Sequence, residues 1–264
     1  TRSFEWSTSI NAAWQKDKID ELANGKEDDI NNSWFIGQAL GVIYGYQSAG
    51  IWKEEDAAEM AKFNAKGHSF QAGMARPVDQ NGDYKIDPND DRVVIGHTRP
   101  RWTFGMTNTF SYKNFDLNVN TIFSLGNDVY NGTRVMMENM QGSSNMFASV
   151  VNHWTESNQN AAFPRPLRSK AVMRVSDQYV ENGSYFRFQN ITLGYNVPTD
   201  FLSFTKYVSA LRVYASLQNF FTITSYSGDN PEVSKYGQDN LGAGYDAFSY
   251  PFAKSVLFGL NVKF

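Results

Sequence analysis

The sequence predicts an all-β fold, a membrane-spanning antiparallel β-barrel to which this chain contributes about seven strands. Three observations predict it: apolar and polar residues alternate over long segments, the predicted strands are long, and short and long connections alternate along the chain. A period of two indicates strands with one apolar face. Strands of about 9–11 residues suit a tilted crossing of a bilayer, whereas globular strands are commonest at about 5–6.

The alternation is clearest in three segments, at 4–14, 115–125 and 256–264. In each segment the apolar residues share one face, and most residues of the other face are polar. The apolar faces carry Phe4, Trp6, Ile10 and Trp14, then Phe115, Leu117, Val119, Phe123 and Leu125, and finally Val256, Phe258, Leu260, Val262 and Phe264. Less regular patterns at about 36–50, 101–112, 184–197 and 209–222 complete the seven predicted strands.

The connections sort into short and long ones. Lys113-Asn114 is a two-residue turn, and the 198–207 segment is a modest one. Long connections follow the predicted strands two, four and six. Long loops are uncommon in compact soluble domains but are typical of one side of outer-membrane barrels. Within these loops, residues Lys53 to Ala65 and Asn145 to Thr155 predict short helices.

Composition narrows the function classes. The chain has 264 residues, with 24 Lys plus Arg against 27 Asp plus Glu and a formal charge of −3. No basic surface stripe is expected, so we predict no nucleic-acid partner. The absence of cysteine excludes disulfides and thiolate metal sites. Aromatic residues make up 15% of the chain, yet no apolar run approaches the roughly 20 residues of a spanning helix.

One polar segment has the spacing of a calcium loop. Its oxygen-bearing positions match positions 1, 3, 5, 7, 9 and 12 of an EF-hand-like loop. They are Asp79, Asn81, Asp83, Lys85 (through its backbone carbonyl), Asp87 and Asp90. Tyr84 replaces the usual glycine, and Asp90 replaces the usual glutamate. The spacing predicts Ca²⁺ in the 79–90 loop; the alternative is a polar turn built from Asx motifs that binds no ion.

Aromatic residues crowd the last long loop beside Asp229, Asp239 and Asp246. We predict that they contact substrate, with packing against neighbouring loops or a lid partner as the alternative. The residues are Tyr226, Tyr236, Tyr245, Phe248 and Tyr250. The three histidines lie far apart, and no nucleophile or phosphate-binding motif occurs. We therefore predict no catalytic residue and no enzyme activity.

Four segments in fixed order carry a more specific pattern. They are DQNGDYKIDPNDDRVVIG (79–96), the strand–turn–strand unit at 100–131, FRFQNITLGYNVP (186–198) and LRVYASLQNFFTITSYSGDNPEV (211–233). Together they resemble the SusC/RagA family of TonB-dependent transporters from Bacteroidetes. The chain departs from the family pattern at Tyr84, where glycine is usual, and at Asp229-Asn230-Pro231, where an aspartate usually precedes the proline directly.

The resemblance implies that residues 1–264 are the C-terminal portion of a barrel of about 22 strands with a plugged lumen. It implies TonB-energised uptake of an oligosaccharide or peptide across the bacterial outer membrane, beneath a SusD-like surface lipoprotein. The plug, which contacts TonB, and the N-terminal strands would belong to a separate chain. The alternatives are a passive porin-type barrel and a secreted carbohydrate-binding β protein.

The resemblance also implies an orientation. If Phe264 ends in the periplasm, the short turns fall on the periplasmic side and the three long loops fall outside. Counting back through seven strands places Thr1 near the cell surface. We therefore expect the parent chain to be interrupted in an extracellular loop.

Overall fold

The computed structural model describes residues 4–140, 145–167, 175–203, 207–235 and 242–264. Strands dominate these residues. In chain order they are β1 (Phe4–Trp14), β2 (Val42–Tyr46), β3 (Ser48–Ile51), β4 (Ala75–Pro77), β5 (Arg92–His97), β6 (Trp102–Tyr112), β7 (Phe115–Leu125), β8 (Asp128–Asn131), β9 (Val180–Asn182), β10 (Tyr185–Asn196), β11 (Ala210–Thr224), β12 (Tyr245–Asp246) and β13 (Ser255–Lys263). The α-helices are α1 (Ala57–Ala65) and α2 (Gly132–Glu138).

Six long strands form one antiparallel sheet in the order β1-β6-β7-β10-β11-β13. The prediction of seven strands in this sheet is wrong by one. The predicted strand at about 36–50 instead supplies β2, which pairs with β5 in a separate two-stranded sheet. The all-β fold itself is confirmed, and the sheet is open rather than closed, as expected for part of a barrel.

The alternation stays in phase across all six strands. Phe110 of β6 pairs with both Trp6 and Leu117, which places all three side chains on one face. The same registration continues through Leu193, Val213 and Leu260. This apolar face, called the outer face below, comprises Phe4, Trp6, Ile10, Trp14, Trp102, Phe104, Met106, Phe110, Tyr112, Phe115, Leu117, Val119, Phe123, Leu125, Phe186, Phe188, Ile191, Leu193, Tyr195, Leu211, Val213, Leu217, Phe221, Ile223, Val256, Phe258, Leu260 and Val262.

A bulge keeps β10 in phase. The apolar residues of β10 change from even numbers at Phe186 and Phe188 to odd numbers from Ile191 onward. The register shifts between Phe188 and Asn190 at the point of this change, so one residue is added and both halves keep their apolar side chains outward. In β11 the matching irregularity contains Asn219, whose φ of 55° lies in the left-handed region that asparagine tolerates.

The opposite face, called the inner face, is polar and hydrogen-bonded from strand to strand. Thr107 donates to Asn120 over 2.8 Å, and Asn118 donates to Thr109 over 2.9 Å. Further along the sheet, Thr192 donates to Ser216 over 2.9 Å. A sheet with one apolar and one hydrogen-bonded polar face is what a membrane barrel with a wet interior requires.

One ion pair crosses a strand on the inner face. Arg212 on β11 reaches over β10 to Asp116 on β7, with Nη2 at 2.5 Å from Oδ2 and Nε at 3.0 Å from Oδ1. Gly194 of β10 lies beneath this pair. A Cβ at Gly194 would stand 2.6 Å from Asp116 Oδ1 and closer still to the Arg212 guanidinium. The glycine therefore makes room for the bridge.

The two ends of the sheet differ in their connections. The turn end carries the short connections 113–114 and 197–209, and the loop end carries the long connections 15–101, 126–184 and 225–254. Phe4 pairs with Tyr112, so β1 begins at the turn end. Thr1 itself lies outside the described residues, and the strand count that placed it near the long loops is wrong, because the 36–50 segment adds no strand to the large sheet.

The first long connection folds on its own small core. Trp52, Met60, Phe63 and Ile86 are buried together with Tyr46. The predicted helix at 53–65 is confirmed as a 3₁₀ turn (Glu54–Asp56) leading into α1, and Met60 and Phe63 form its buried side. Arg76 covers this core, with its guanidinium carbon 4.3 Å from the Trp52 ring centroid and ion pairs to Asp56 and Glu59.

The other two long connections are joined to each other. β8 pairs with β9 and, in parallel, with β12, so residues 128–131 tie the second connection to the third. The predicted helix at 145–155 is wrong, since that segment forms only a 3₁₀ turn at Ala148–Val151. Further 3₁₀ turns lie at Asp177–Tyr179 and Thr199–Leu202. Among the described ranges, no helix has the length and apolarity needed to cross a membrane.

We expect Gly194→Ala to destabilise the full-length protein by about 1–2 kcal/mol, because the added methyl group forces Arg212 and Asp116 apart. The measurement is the unfolding temperature in detergent. In an Asp116→Asn background the same change should cost clearly less, since the pair is already weakened. An equal cost in both backgrounds would show that the glycine does not act through the ion pair.

Candidate functional site

A buried arginine joins the inner face of the sheet to the third long connection. Arg187 on β10 is 3% exposed. It donates to Thr222 Oγ1 over 3.0 Å, to Asn230 Oδ1 over 2.7 Å and to Glu232 Oε2 over 2.9 Å. Its guanidinium carbon also lies over the rings of Tyr185 and Phe252, 4.8 and 4.7 Å from the two ring centroids. The 225–254 connection is therefore held against the wall of the sheet.

Asn230 occupies the position before Pro231 at which the resembled pattern has aspartate. Its side-chain oxygen accepts from Arg187 and, over 3.1 Å, from the backbone N–H of Glu232. Its amide group donates to the Glu232 carbonyl over 2.8 Å. Asparagine thus supplies the oxygen that meets the arginine and closes the turn that presents Glu232.

A second polar network joins α2, β9 and the third connection. Glu181 accepts from Arg134 Nη1 over 2.8 Å, from Asn131 Nδ2 over 3.0 Å and from both the backbone N–H and the hydroxyl of Ser227. Burial alone would raise the pKa of Glu181, but these hydrogen bonds outweigh it, so its pKa is lowered. Arg134 also pairs with Glu138 at 3.0 Å.

A third polar network is centred on Asp246. It is buried and accepts from the hydroxyl of Tyr226 over 2.5 Å, from Thr133 Oγ1 over 3.2 Å and from the backbone N–H of Ser249 over 3.1 Å. Burial, followed by this bond to a carboxylate, raises the pKa of the Tyr226 phenol. Tyr226 therefore stays protonated as a donor and fastens the beginning of the third connection to β12, which lies later in the same connection.

These networks frame a cavity of about 740 Å³ at the loop end, called the loop cavity below. It lies between α2 and the third connection. Its lining is mixed, with carboxylates, hydroxyls, one arginine and aromatic rings. Its charged and aromatic lining side chains include Arg134, Glu138, Phe147, Asp229, Asp246, Phe248 and Tyr250. A second opening of about 700 Å³ lies against the inner face beside Asn11, Thr103, Ser124 and Glu232.

The predicted substrate residues separate in the structure. Phe248 and Tyr250 line the loop cavity and are 61% and 93% exposed. Tyr226 is buried by its bond to Asp246, and Tyr245 packs on Tyr130 with ring centroids 5.7 Å apart. Tyr236 lies outside the described residues. Substrate contact by this group stays a prediction, which the geometry favours for Phe248 and Tyr250.

Sequence reasoning missed the residues that hold the cavity together: Asn131, Arg134, Glu181 and Arg187. Arg187 and Glu181 gave a weak signal, since each is a charged residue in or beside a strand. Apart from Glu138, which lies four positions from Arg134, their partners described above lie from about 35 to 96 positions away in sequence, so spacing alone does not reveal them.

The acidic loop is built from backbone hydrogen bonds to its own side chains. Asp79 accepts from the N–H groups of Gly82 and Tyr84, both over 2.8 Å. Asn81 accepts from Asp83, and Asp83 accepts from Lys85. Tyr84 takes a left-handed φ of 61°. These are Asx turns, the alternative considered for this sequence.

Asp91, rather than Asp90, closes the acidic loop. It is fully buried and accepts from the N–H groups of Gln80 and Asp87, both over 2.8 Å. Asp87 receives the Lys85 ammonium at 2.8 Å, and this bond, with N–H donors from Asn89 and Asp90, lowers the pKa of Asp87 to about 2. Asp90 offers its backbone N–H to Asp87 over 3.2 Å.

In the part of the chain that the structure describes, no three acidic, histidine or cysteine side chains converge in a way that could hold a metal ion. The remaining predicted ligands, an amide oxygen at Asn81 and a carbonyl at Lys85, are of types that calcium accepts. The Ca²⁺ site in the 79–90 loop stays a prediction.

Comparison with known proteins shows which receptors the chain is similar to. Over 281 aligned residues covering its whole length, it is 34% identical to TonB-dependent receptor P3 of Formosa agariphila. It is 29% identical to TonB-dependent receptor SusC of Bacteroides thetaiotaomicron, again over its whole length. These full-length similarities to TonB-dependent receptors, SusC among them, confirm the resemblance of the chain to the SusC/RagA family. No protein-family model matches it.

The solved structures show the same fold for this SusC/RagA segment. The structure of the RagAB peptide transporter superposes on 99% of the chain with a TM-score of 0.78 at 22% identity. The RagAB peptide importer in its "open-open" state gives a TM-score of 0.77. The segment spans about a quarter of its relatives, 27% of receptor P3 and 25% of SusC.

We expect Arg187→Met to release the third connection from the wall, because Asn230 and Glu232 lose their cation. The cost should be about 1–3 kcal/mol, limited by the half-exposed Glu232. Limited proteolysis of the full-length protein should cut within 225–254 sooner than in the parent. Lys85→Met, which removes an exposed cation, is the control and should leave that cleavage unchanged. Unchanged cleavage in both variants would contradict the anchoring role.

For the acidic loop, we expect calcium titration of the full-length protein to show saturable binding that Asp83→Ala abolishes, because that change removes a carboxylate ligand. Asp200→Ala at the turn end is the matched control. Isothermal calorimetry is the measurement. Identical heats in the parent and in Asp83→Ala would reject the site and leave the Asx turns as its whole role.

Proposed function

We propose that this chain forms part of the wall and outer mouth of an outer-membrane nutrient importer of the SusC type. The observation that carries this is the single apolar face kept in register across six strands, opposite a hydrogen-bonded polar face. Such a sheet suits lipid on one side and a water-filled lumen on the other. The names of its relatives, receptors and transporters, support this and give no support for an enzyme.

The outer face has the layered composition expected in a membrane. Aromatic rings lie towards both ends, as in the Trp14–Trp102 pair at the loop end and the Phe115–Tyr195 pair at the turn end, with centroids 6.4 and 4.8 Å apart. Aliphatic residues such as Val119 lie between them. Aromatic girdles that flank an aliphatic band mark the two interfaces of a membrane barrel. We propose that this face contacts outer-membrane lipid.

The orientation follows from the connections. Barrels of this class carry short turns on the periplasmic side and long loops outside. We therefore place the turn end in the periplasm and the loop end, with the loop cavity, at the cell surface. The position of Arg187 at this end means that an external loop is anchored within the mouth of the barrel.

The barrel needs further strands. Among the described residues, β1 and β13 each pair along one edge only. An unpaired edge in hydrocarbon leaves backbone groups unsatisfied, so both edges must be covered. We propose that the remaining strands and the plug come from the rest of the transporter, whether as a separate chain or not, which agrees with the quarter-length match to its relatives.

The partners are proposed from the same relatives. RagAB is described as a peptide transporter, and the importer has been solved in states called "open-open" and "closed-closed". We propose a SusD-like surface lipoprotein as the partner at the loop end and TonB as the energy source through the plug. The cargo is proposed to be a peptide or an oligosaccharide.

Uptake by a strain that lacks the gene tests this function. We expect the strain to lose uptake of labelled peptide or oligosaccharide and to regain it when the full-length gene is restored. A protonophore should abolish uptake, because TonB coupling takes its energy from the proton-motive force across the inner membrane. Uptake that persists under the protonophore would indicate a passive porin-type barrel. A protein that purifies without detergent would favour the secreted carbohydrate-binding alternative.

A further inference from the structure

The loop cavity carries an excess of negative charge. Its lining includes Glu138, Asp229 and Asp246, and among the residues that the structure describes Arg134 is the one cation in this lining. Arg134 is bound at 3.0 Å to Glu138 and at 2.8 Å to Glu181. Its charge is therefore already matched by two carboxylates, and none remains for Asp229 or Asp246.

Those two aspartates lack a cation among the residues that the structure describes. Asp246 is bound only by neutral donors, from Tyr226, Thr133 and Ser249. Asp229 is exposed at the cavity wall. Covering the exposed Asp229 carboxylate with a neutral ligand removes its water without a compensating charge, which is unfavourable, and Asp246 is already buried without one. A cationic ligand supplies that charge.

The rim of the loop cavity is aromatic. Phe147, Phe248 and Tyr250 are 40%, 61% and 93% exposed. Phe248 has a left-handed φ of 58°, which is uncommon for a bulky side chain. Its N–H is held by Thr133 Oγ1 at 2.9 Å. The ring is thus kept at the mouth of the cavity by a fixed turn, not by packing in a core.

We propose that the loop cavity binds a cationic segment of a peptide, with a lysine or arginine side chain directed to Asp229 and Asp246 and apolar side chains on the aromatic rim. This rests on the proposed function and names its substrate class. A neutral oligosaccharide could stack on the rings but would leave both carboxylates unmatched, and an acidic polysaccharide would be repelled.

Binding to the full-length transporter in detergent, together with its lipoprotein partner, tests the proposal. The probes are two peptides of equal length and equal apolar content, one with lysines and one with glutamates at the same positions. A neutral oligosaccharide is the third probe. We expect the lysine peptide to bind at least about tenfold more tightly than the glutamate peptide, with the difference shrinking at high salt.

Two variants assign this preference to the cavity. Asp229→Asn should weaken lysine-peptide binding about fivefold, because it removes an exposed carboxylate without removing any bond within the chain. Phe248→Ala should weaken both peptides, since the ring contributes apolar contact to each. Asp200→Asn, an exposed acid at the turn end, is the matched control and should change neither affinity.

The outcomes separate the two proposals. Equal affinity for the lysine and glutamate peptides, or no effect of Asp229→Asn, would overturn the cationic preference while leaving the importer intact. Binding of the oligosaccharide with neither peptide bound would do the same. If none of the probes binds and the deletion strain shows normal uptake of peptides and oligosaccharides, the proposed function fails with it.

Discussion

The constraint on which the structure depends is that backbone polar groups inside a membrane must be paired within the protein. Six antiparallel strands meet it with continuous ladders, and the ladders fix the register. Register in turn fixes which side chains form the apolar outer face, because a slip of one residue would exchange the two faces. The bulge between Phe188 and Asn190 shows this dependence. One residue is added to β10 where its apolar residues change from even to odd numbers, and the apolar face therefore stays continuous.

The polar interior is organised by arginines that reach beyond their own strands. At the turn end, Arg212 crosses β10 to Asp116, and Gly194 leaves the space for it. At the loop end, Arg187 binds Asn230 and Glu232 and so ties the third long connection to the wall of the sheet. Planar guanidinium groups suit this role because they donate several hydrogen bonds in fixed directions. The sheet thereby positions the connections at its two ends.

The long connections are small folded units and not passive linkers. The first has its own core around Trp52, and the other two share the sheet of β8, β9 and β12 together with the bonds of Glu181 and Asp246. This rigidity leaves a cavity whose walls are set by paired charges. Its aromatic rim can then contribute to binding without first paying the entropy of ordering a loop.

The sequence by itself determined what depends on local pattern: the strands at 4–14, 102–112 and 115–125, the two-residue turn at 113–114, and the helix near 57–65. Alternation and helix propensity depend on neighbouring residues, so the sequence alone indicates these strands and this helix. Tertiary structure alone decided that residues 42–46 leave the large sheet, that Tyr226 is buried on Asp246, and that Arg187 meets Glu232. These outcomes depend on partners distant in sequence, and competition among such partners leaves no local signal.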